Sequence, residues 1–149
     1  MVEDLHRQRL LKFLETFYSG DVEGALGRCT EDIEFFANAP IDILPHMGSH
    51  TGRDAVRRMW QTVHARYSKM RYEVPVIVAE GDKVAAHIRV FFRKSSNDRI
   101  VQFDIAAFYT FRDGRIARIR EIMDTFDLVQ QVLERDVVEA LAEKKPDEE

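Results

Sequence analysis

The stretch Phe111-Arg112-Asp113-Gly114-Arg115-Ile116-Ala117-Arg118-Ile119-Arg120-Glu121-Ile122-Met123-Asp124 decides the fold. Asp-Gly is a strong hairpin signal, because both residues tolerate the positive φ that a tight turn between twisted strands requires. Strands are therefore expected over 99–112 and 115–124. Working back, Ser95-Ser96-Asn97-Asp98 marks another turn, after a strand over 83–93. Gly81-Asp82 marks a third, after a strand in which Tyr72, Val74, Val76 and Val78 alternate with mostly polar neighbours. Together these make a four-stranded antiparallel meander.

Helical periodicity accounts for most of the rest. Leu10, Leu11, Leu14, Phe17 and Tyr18 share one stripe, which predicts a helix over about 4–19. Ser19-Gly20-Asp21 ends it, with Gly20 suited to a left-handed cap and Asp21 to the next N-cap. A short helix runs through Val22, Ala25 and Leu26 to about Cys29, and a strand covers 32–37. The segment 38–51 holds Pro40, Pro45, Gly48, His46 and His50 and reads as a long loop, a common place for function. From Gly52 to about Tyr67, Val56, Met59, Trp60, Val63 and Tyr67 lie on one helical face. After the last strand, Val129, Val132, Leu133, Val137 and Leu141 predict one amphipathic helix over about 126–144. Pro146 and the acidic end are expected to fray. Segregated helices beside a meander mean an α+β fold, in a single domain over 1–149.

Composition narrows the function classes. The chain has 149 residues and a formal net charge of −4, whereas a nucleic-acid binder shows a basic face. The lone cysteine, Cys29, excludes an internal disulfide and a Cys-rich zinc site. No apolar run is long enough to span a membrane, and Met1-Val2-Glu3-Asp4 begins no secretory signal. A soluble cytoplasmic protein is the expectation. The 10 Phe call for a large core, a cavity or an interface. On strand 99–112, Phe103, Ile105, Ala107 and Tyr109 face one way while Ala106 and Phe108 face the other. On strand 83–93, Ile88, Val90 and Phe92 oppose Phe91. A sheet with one solvated face alternates more cleanly. Both faces are expected to be covered, one by helices and one by a partner subunit.

Several pieces of the chain carry a family resemblance: Phe17-Tyr18-Ser19-Gly20-Asp21-Val22-Glu23-Gly24-Ala25-Leu26, Thr30-Glu31-Asp32-Ile33-Glu34-Phe35, Thr51-Gly52-Arg53-Asp54-Ala55-Val56, and the hairpin quoted above. In this order they resemble the nuclear-transport-factor-2-like superfamily over about residues 5–133. That superfamily includes ketosteroid isomerases, limonene epoxide hydrolases and SnoaL-like polyketide cyclases. The resemblance implies a cone-shaped, cystatin-like curved antiparallel sheet wrapped around a long helix, with an internal apolar pocket for a small hydrophobic molecule. It implies a homodimer through the convex sheet face. It also implies that Phe35, Ala37, Ile88, Val90, Phe103, Ile105, Ala107, Tyr109, Ile119, Glu121 and Met123 point inward. Glu34, Phe36, His87, Arg89, Phe91, Asp104, Phe108, Arg120 and Ile122 then point outward, with His87 and Arg89 at the dimer face.

The resemblance does not carry the family's catalytic groups with it. The base of a ketosteroid isomerase falls at Ala37, its oxyanion tyrosine at Phe13 and its protonated aspartate at Ala107. Of the polar groups of limonene epoxide hydrolase, one acid falls at Glu121. The others fall at Ile88, Val90, Phe35 and Ala37. Neither standard chemistry is expected. Glu121 remains: an inward carboxyl among apolar side chains has a raised pKa and suits a general acid or base. The alternatives are that it lies at the pocket mouth or pairs with Arg118. Asp124 reads as a cap for the terminal helix. His46 and His50 are either lid-borne acid–base partners of Glu121 or solvated loop residues. Pro45 and Gly48 argue against the helix that would make them a metal pair, so no metal is expected. His64 reads as a satisfied core-edge residue. Phe17, Phe35, Trp60, Ile88, Phe103, Ile105, Tyr109, Ile119 and Met123 are the expected ligand wall, continuous with plain core, and Tyr18 and Tyr109 supply hydroxyls. Arg53, Arg57 and Arg58 read as a solvated helix face. No glycine-rich phosphate loop or nucleophile motif is present, so no cofactor is expected. The reading is an isomerase, cyclase or hydrolase using Glu121. The alternatives are a non-catalytic ligand-binding module and a dimeric interaction protein.

Overall fold

The computed structural model describes residues 1–143 and the side chains through Ala142. Its elements are α1 (Val2–Tyr18), α2 (Val22–Gly27), β1 (Cys29–Ala37), β2 (Ser49–Thr51), α3 (Arg53–Arg66), β3 (Tyr67–Glu80), β4 (Lys83–Lys94), β5 (Ile100–Arg112), β6 (Arg115–Met123), α4 (Thr125–Leu133) and α5 (Val137–Glu143). The expected end of the last helix at Lys144, and the fraying of Pro146 and the acidic end, lie outside the described residues. No described helix is long and apolar enough to cross a membrane.

The fold is the expected α+β cone: one curved, unclosed sheet of six strands in the order β2-β1-β6-β5-β4-β3. The meander β3 to β6 is antiparallel throughout, and its last turn has Asp113 and Gly114 at φ of 53° and 79°. The sheet departs from all-antiparallel at one place, where β1 pairs with β6 in parallel. The loop expectation for 38–51 is corrected at its end, because 49–51 form a strand on the outer edge of β1. At the opposite edge, Pro75 falls where the β3–β4 register shifts. A residue without an N–H is tolerated at an edge.

Alternation sorts the sheet as expected. Ile88, Val90, Ile105, Ala107, Tyr109 and Ile119 are buried on the concave side against α1 and α3. α1 contributes Leu10, Phe13, Leu14 and Phe17, and α3 contributes Val56, Met59 and Trp60. Phe13 and Phe17 pack on Trp60 with ring centroids 5.8 and 5.1 Å apart. Burying such side chains is the main stabilising term, about 2 kcal/mol each. On the convex side, Arg71 covers Phe91 at 4.0 Å and Arg120 covers Phe36 at 4.6 Å. Phe108 is 48% exposed there. His87 and Arg89 converge on Asp104, and Arg89 also reaches Glu73.

The single terminal helix expected over 126–144 is two helices. Asp124 caps α4 by accepting from the Asp127 N–H, as read from the sequence. The break follows from the C-terminal end of α4. The ammonium of Lys94, a buried residue, bonds the carbonyls of Gln131 and Val132 and the Glu134 carboxylate. Glu134 adopts the left-handed conformation, and the side chain of Asp136 bonds the Glu139 N–H to start again. The spacing Asp136-x-x-Glu139 was the sequence signal for this second start. Gln131 ties α4 to β5 through both backbone groups of Gln102.

Candidate functional site

Glu121 lies on β6, between Ala37 of β1 and Ala107 of β5 in the sheet register. Two methyl groups therefore flank it, and the space that larger side chains would take is left to its carboxyl. Alternation with Ile119 and Met123 directs it to the concave side. Asn38 fixes the backbone here. Its side chain both donates to the Met123 carbonyl and accepts from the Met123 N–H, at 3.2 and 2.9 Å. Its own N–H bonds the Glu121 carbonyl. Asn38 thus extends the β1–β6 ladder by one step, a role no sequence pattern announced.

The Glu121 carboxyl accepts no hydrogen bond and joins no ion pair among the described residues. The expected alternative partner, Arg118, instead reaches Glu34 on the convex side, at 3.7 Å. Glu121 keeps some exposed surface, but that surface looks into a cavity rather than bulk solvent. Burial pushes its pKa from 4.5 up to about 7. An isolated carboxylate is poorly solvated among methyl and aromatic groups, so it holds its proton longer.

The cavity has a free volume of about 610 Å³, counted out to its open mouth. Of the expected wall, Phe17, Phe35, Trp60, Phe103, Ile105 and Met123 line it, together with Glu121 and His46. Tyr109 and Ile119 line a smaller annex of about 250 Å³, which shares Phe17, Tyr18, Phe35, Trp60 and Glu121 with the main space. Ile88 lines neither and is core, fully buried between its strand neighbours. His50 also stands apart. It lies in β2, and its Nε2 engages the His46 carbonyl at 2.8 Å, which ties down the loop. His46 is partly buried, and its pKa is lowered, first by that burial and then by Arg66 and His50. It faces the cavity as a neutral imidazole near pH 7. His64 packs against Phe17 with its ring tilted by 51° and centroids 4.8 Å apart, and its Nε2 is buried without a partner among the described residues, so the expectation of a satisfied histidine is corrected.

Several wall residues escaped sequence reading. Leu44 and Met47 come from the 38–48 segment, Tyr67 and Met70 from the start of β3, and Leu128 from α4. The signal was the apolar content of a nominal loop: Ile41, Ile43, Leu44 and Met47 lie within seven positions. Leu44 is folded inward by bonds from the Ile43 and Leu44 N–H groups to the Pro40 carbonyl. Arg53 is also not the solvated residue expected. It donates to the Cys29 carbonyl at 2.5 Å, and its Nε is buried.

Tyr18 and Tyr109 complete the polar inventory of the two spaces. Burial first, then the charge of Glu121, raises both phenols well above the ordinary value. Both stay protonated and can donate hydrogen bonds. The positions where the resembled isomerases and hydrolases carry polar groups, Phe13, Phe35, Ala37, Ile88, Val90 and Ala107, are all buried apolar here. Among the described residues, no three His, Cys, Asp or Glu side chains are grouped as for a metal ion.

Comparison with solved structures agrees with this fold. A provisionally assigned isomerase from Rhodopseudomonas palustris is 26% identical, with a TM-score of 0.73 over 88% of this chain and 91% of that one. An NTF2-like protein from Burkholderia xenovorans is 25% identical, with a TM-score of 0.70 over 86% and 95%. An LEH-like epoxide hydrolase from M. tuberculosis shares the fold at 16% identity, with a TM-score of 0.73 over 97% and 100%. No curated protein matches the chain. A family model does, across residues 10–119, and the chain therefore belongs to the SnoaL-like domain family.

Proposed function

We propose that this protein binds a small hydrophobic molecule in the cone cavity and moves a proton on it with Glu121, in an isomerase- or cyclase-type reaction. One observation carries the reading: a carboxyl with no partner, pushed up to about 7, in the wall of an apolar cavity. Near neutral pH both its forms are populated, so it can take a proton from one ligand atom and return it to another. The apolar wall of Phe35, Trp60, Phe103, Ile105 and Met123 suits a hydrophobic ligand. Tyr18 or Tyr109 donates to the oxygen on which charge develops, and neutral His46 acts as a helper at the mouth. The protein works as a homodimer joined through the convex face around Phe108. Phe108→Glu is then expected to give monomers in sedimentation.

Trp60 is the only tryptophan and lines the cavity, so its fluorescence reports occupancy directly. Polycyclic ketones and phenols are titrated by this signal, and bound compounds are incubated in D₂O. Glu121→Gln is expected to lower deuterium incorporation by at least about a hundredfold while binding changes only a few-fold. Unchanged exchange in that variant removes Glu121 from the chemistry. A second reading is favoured by the apolar residues at Phe13, Ala37 and Ala107, which leave Glu121 without a second acid. Under it the protein binds its ligand and does not transform it, and quenching without exchange in the native protein is the result that selects it.

A further inference from the structure

At the end of the molecule formed by the β5–β6 hairpin, three arginines line one cleft. They are Arg9 of α1, Arg28 just after α2 and Arg115 at the start of β6, and the floor is Phe111 and Ile116. Two glycines also line it. Gly27 ends α2, and Gly114 turns the hairpin. A Cβ on Gly114 would stand 3.1–3.3 Å from the Arg9 guanidinium, so the absence of a side chain lets that group lie against the turn. The Arg28 carbonyl accepts from the Ile116 N–H at 2.9 Å, which locks the end of α2 to β6 and holds the walls together.

These three guanidiniums form no ion pair and no side-chain hydrogen bond among the described residues. Other arginines of the chain are paired: Arg57 with Glu23 and Asp54, Arg112 with Asp32, and Arg89 with Asp104. The chain carries a net charge of −4, so carboxylates are in excess. Yet Asp113, in the same turn, and Glu31, in the adjoining strand, pair with none of the three. Arg9 and Arg28 are half-buried and Arg115 is exposed, and like charges around one cleft repel one another, an effect that a bound anion offsets.

We propose that this cleft is a binding site for a phosphate group, remote from the cavity and independent of the function proposed there. A guanidinium offers a planar fork of donors that matches phosphate edges. A dianionic tetrahedral group presents enough oxygen edges for three forks from three directions. A carboxylate presents two oxygens in one plane and a single charge. The apolar floor lowers the local dielectric and strengthens each contact.

The full chain is titrated with inorganic phosphate at constant ionic strength, with chloride as the balancing salt, and followed by amide NMR. Saturable shifts are expected at Gly27, Arg28, Gly114 and Arg115. Arg9→Gln, Arg28→Gln and Arg115→Gln are each expected to weaken binding about tenfold, since each removes a charge-assisted contact. Arg115 is exposed, so its replacement leaves the fold intact and keeps the test decisive if another variant unfolds. Glycerol phosphate and phenyl phosphate form the second arm. Tighter binding than inorganic phosphate identifies the group as a handle on a larger molecule, and equal binding identifies the free ion. Shifts that grow linearly without saturating, or binding unchanged in all three variants, overturn the proposal.

Discussion

Replacing Glu121 with glutamine tests the central electrostatic claim without any knowledge of the ligand. Burial raises the folded pKa from 4.5 to about 7. The folded state therefore holds this proton more tightly than the unfolded state. Stability from this source is fully present below about pH 4.5 and is lost as pH rises through about 7. The shift corresponds to about 3 kcal/mol, at 1.36 kcal/mol per pKa unit, and this is an upper figure because the carboxyl keeps some surface toward the cavity. Glutamine has nearly the same shape and no charge. Its stability relative to native protein is therefore expected to improve by up to about 3 kcal/mol between about pH 4 and about pH 8. Urea unfolding of both proteins across that range gives the difference directly. A stability difference independent of pH would show that the carboxyl is solvated or paired, and the proton-transfer reading would go with it.

Three further outcomes are expected. Asp124→Ala removes the side-chain cap of α4 and costs about 1 kcal/mol in urea unfolding, whereas Asp124→Asn recovers most of it. Lys94→Met leaves the carbonyls of Gln131 and Val132 without their donor and leaves Glu134 with Arg99 as its remaining cation, and costs about 2–3 kcal/mol in the same assay. Cys29 is buried and its thiol is pushed up to about 12, so a thiol reagent at neutral pH leaves it unlabelled in folded protein and labels it fully in denaturant.

Local chemistry made much of this fold legible. Asp113-Gly114 permits one kind of turn, Asp21 and Asp124 cap the helices they precede, and alternation along β5 separates Ile105 from Phe108. The parallel β1–β6 pairing was not legible, because it joins residues as distant as Ala37 and Glu121 and leaves no periodic trace. The same holds for Lys94, whose partners lie far along the chain in α4. The site was legible where the sheet supplies it: alternation sorts Phe35, Phe103, Ile105, Glu121 and Met123 along their strands, and the family resemblance names theirs as the inner face. It was not where tertiary packing supplies it. Leu44, Met47 and Leu128 reach the cavity only because the 38–48 segment and α4 fold over the mouth. His50 looked equivalent to His46 in sequence, yet β2 pairing turned it to the backbone.

The place of β6 between β1 and β5 also bears on the order of assembly. β1 and β2 are made early in synthesis, but their bridge to the meander is among the last strands made. Until β6 docks, the two halves of the sheet have no shared edge, and Phe35 and Ile33 have no finished core to enter. Closing that long loop is an entropic cost met before the contacts reward it. The strand that joins the halves is also the strand that carries Glu121. Completion of the fold and delivery of the acid are one event, so no half-built sheet presents an apolar cavity already armed with its carboxyl.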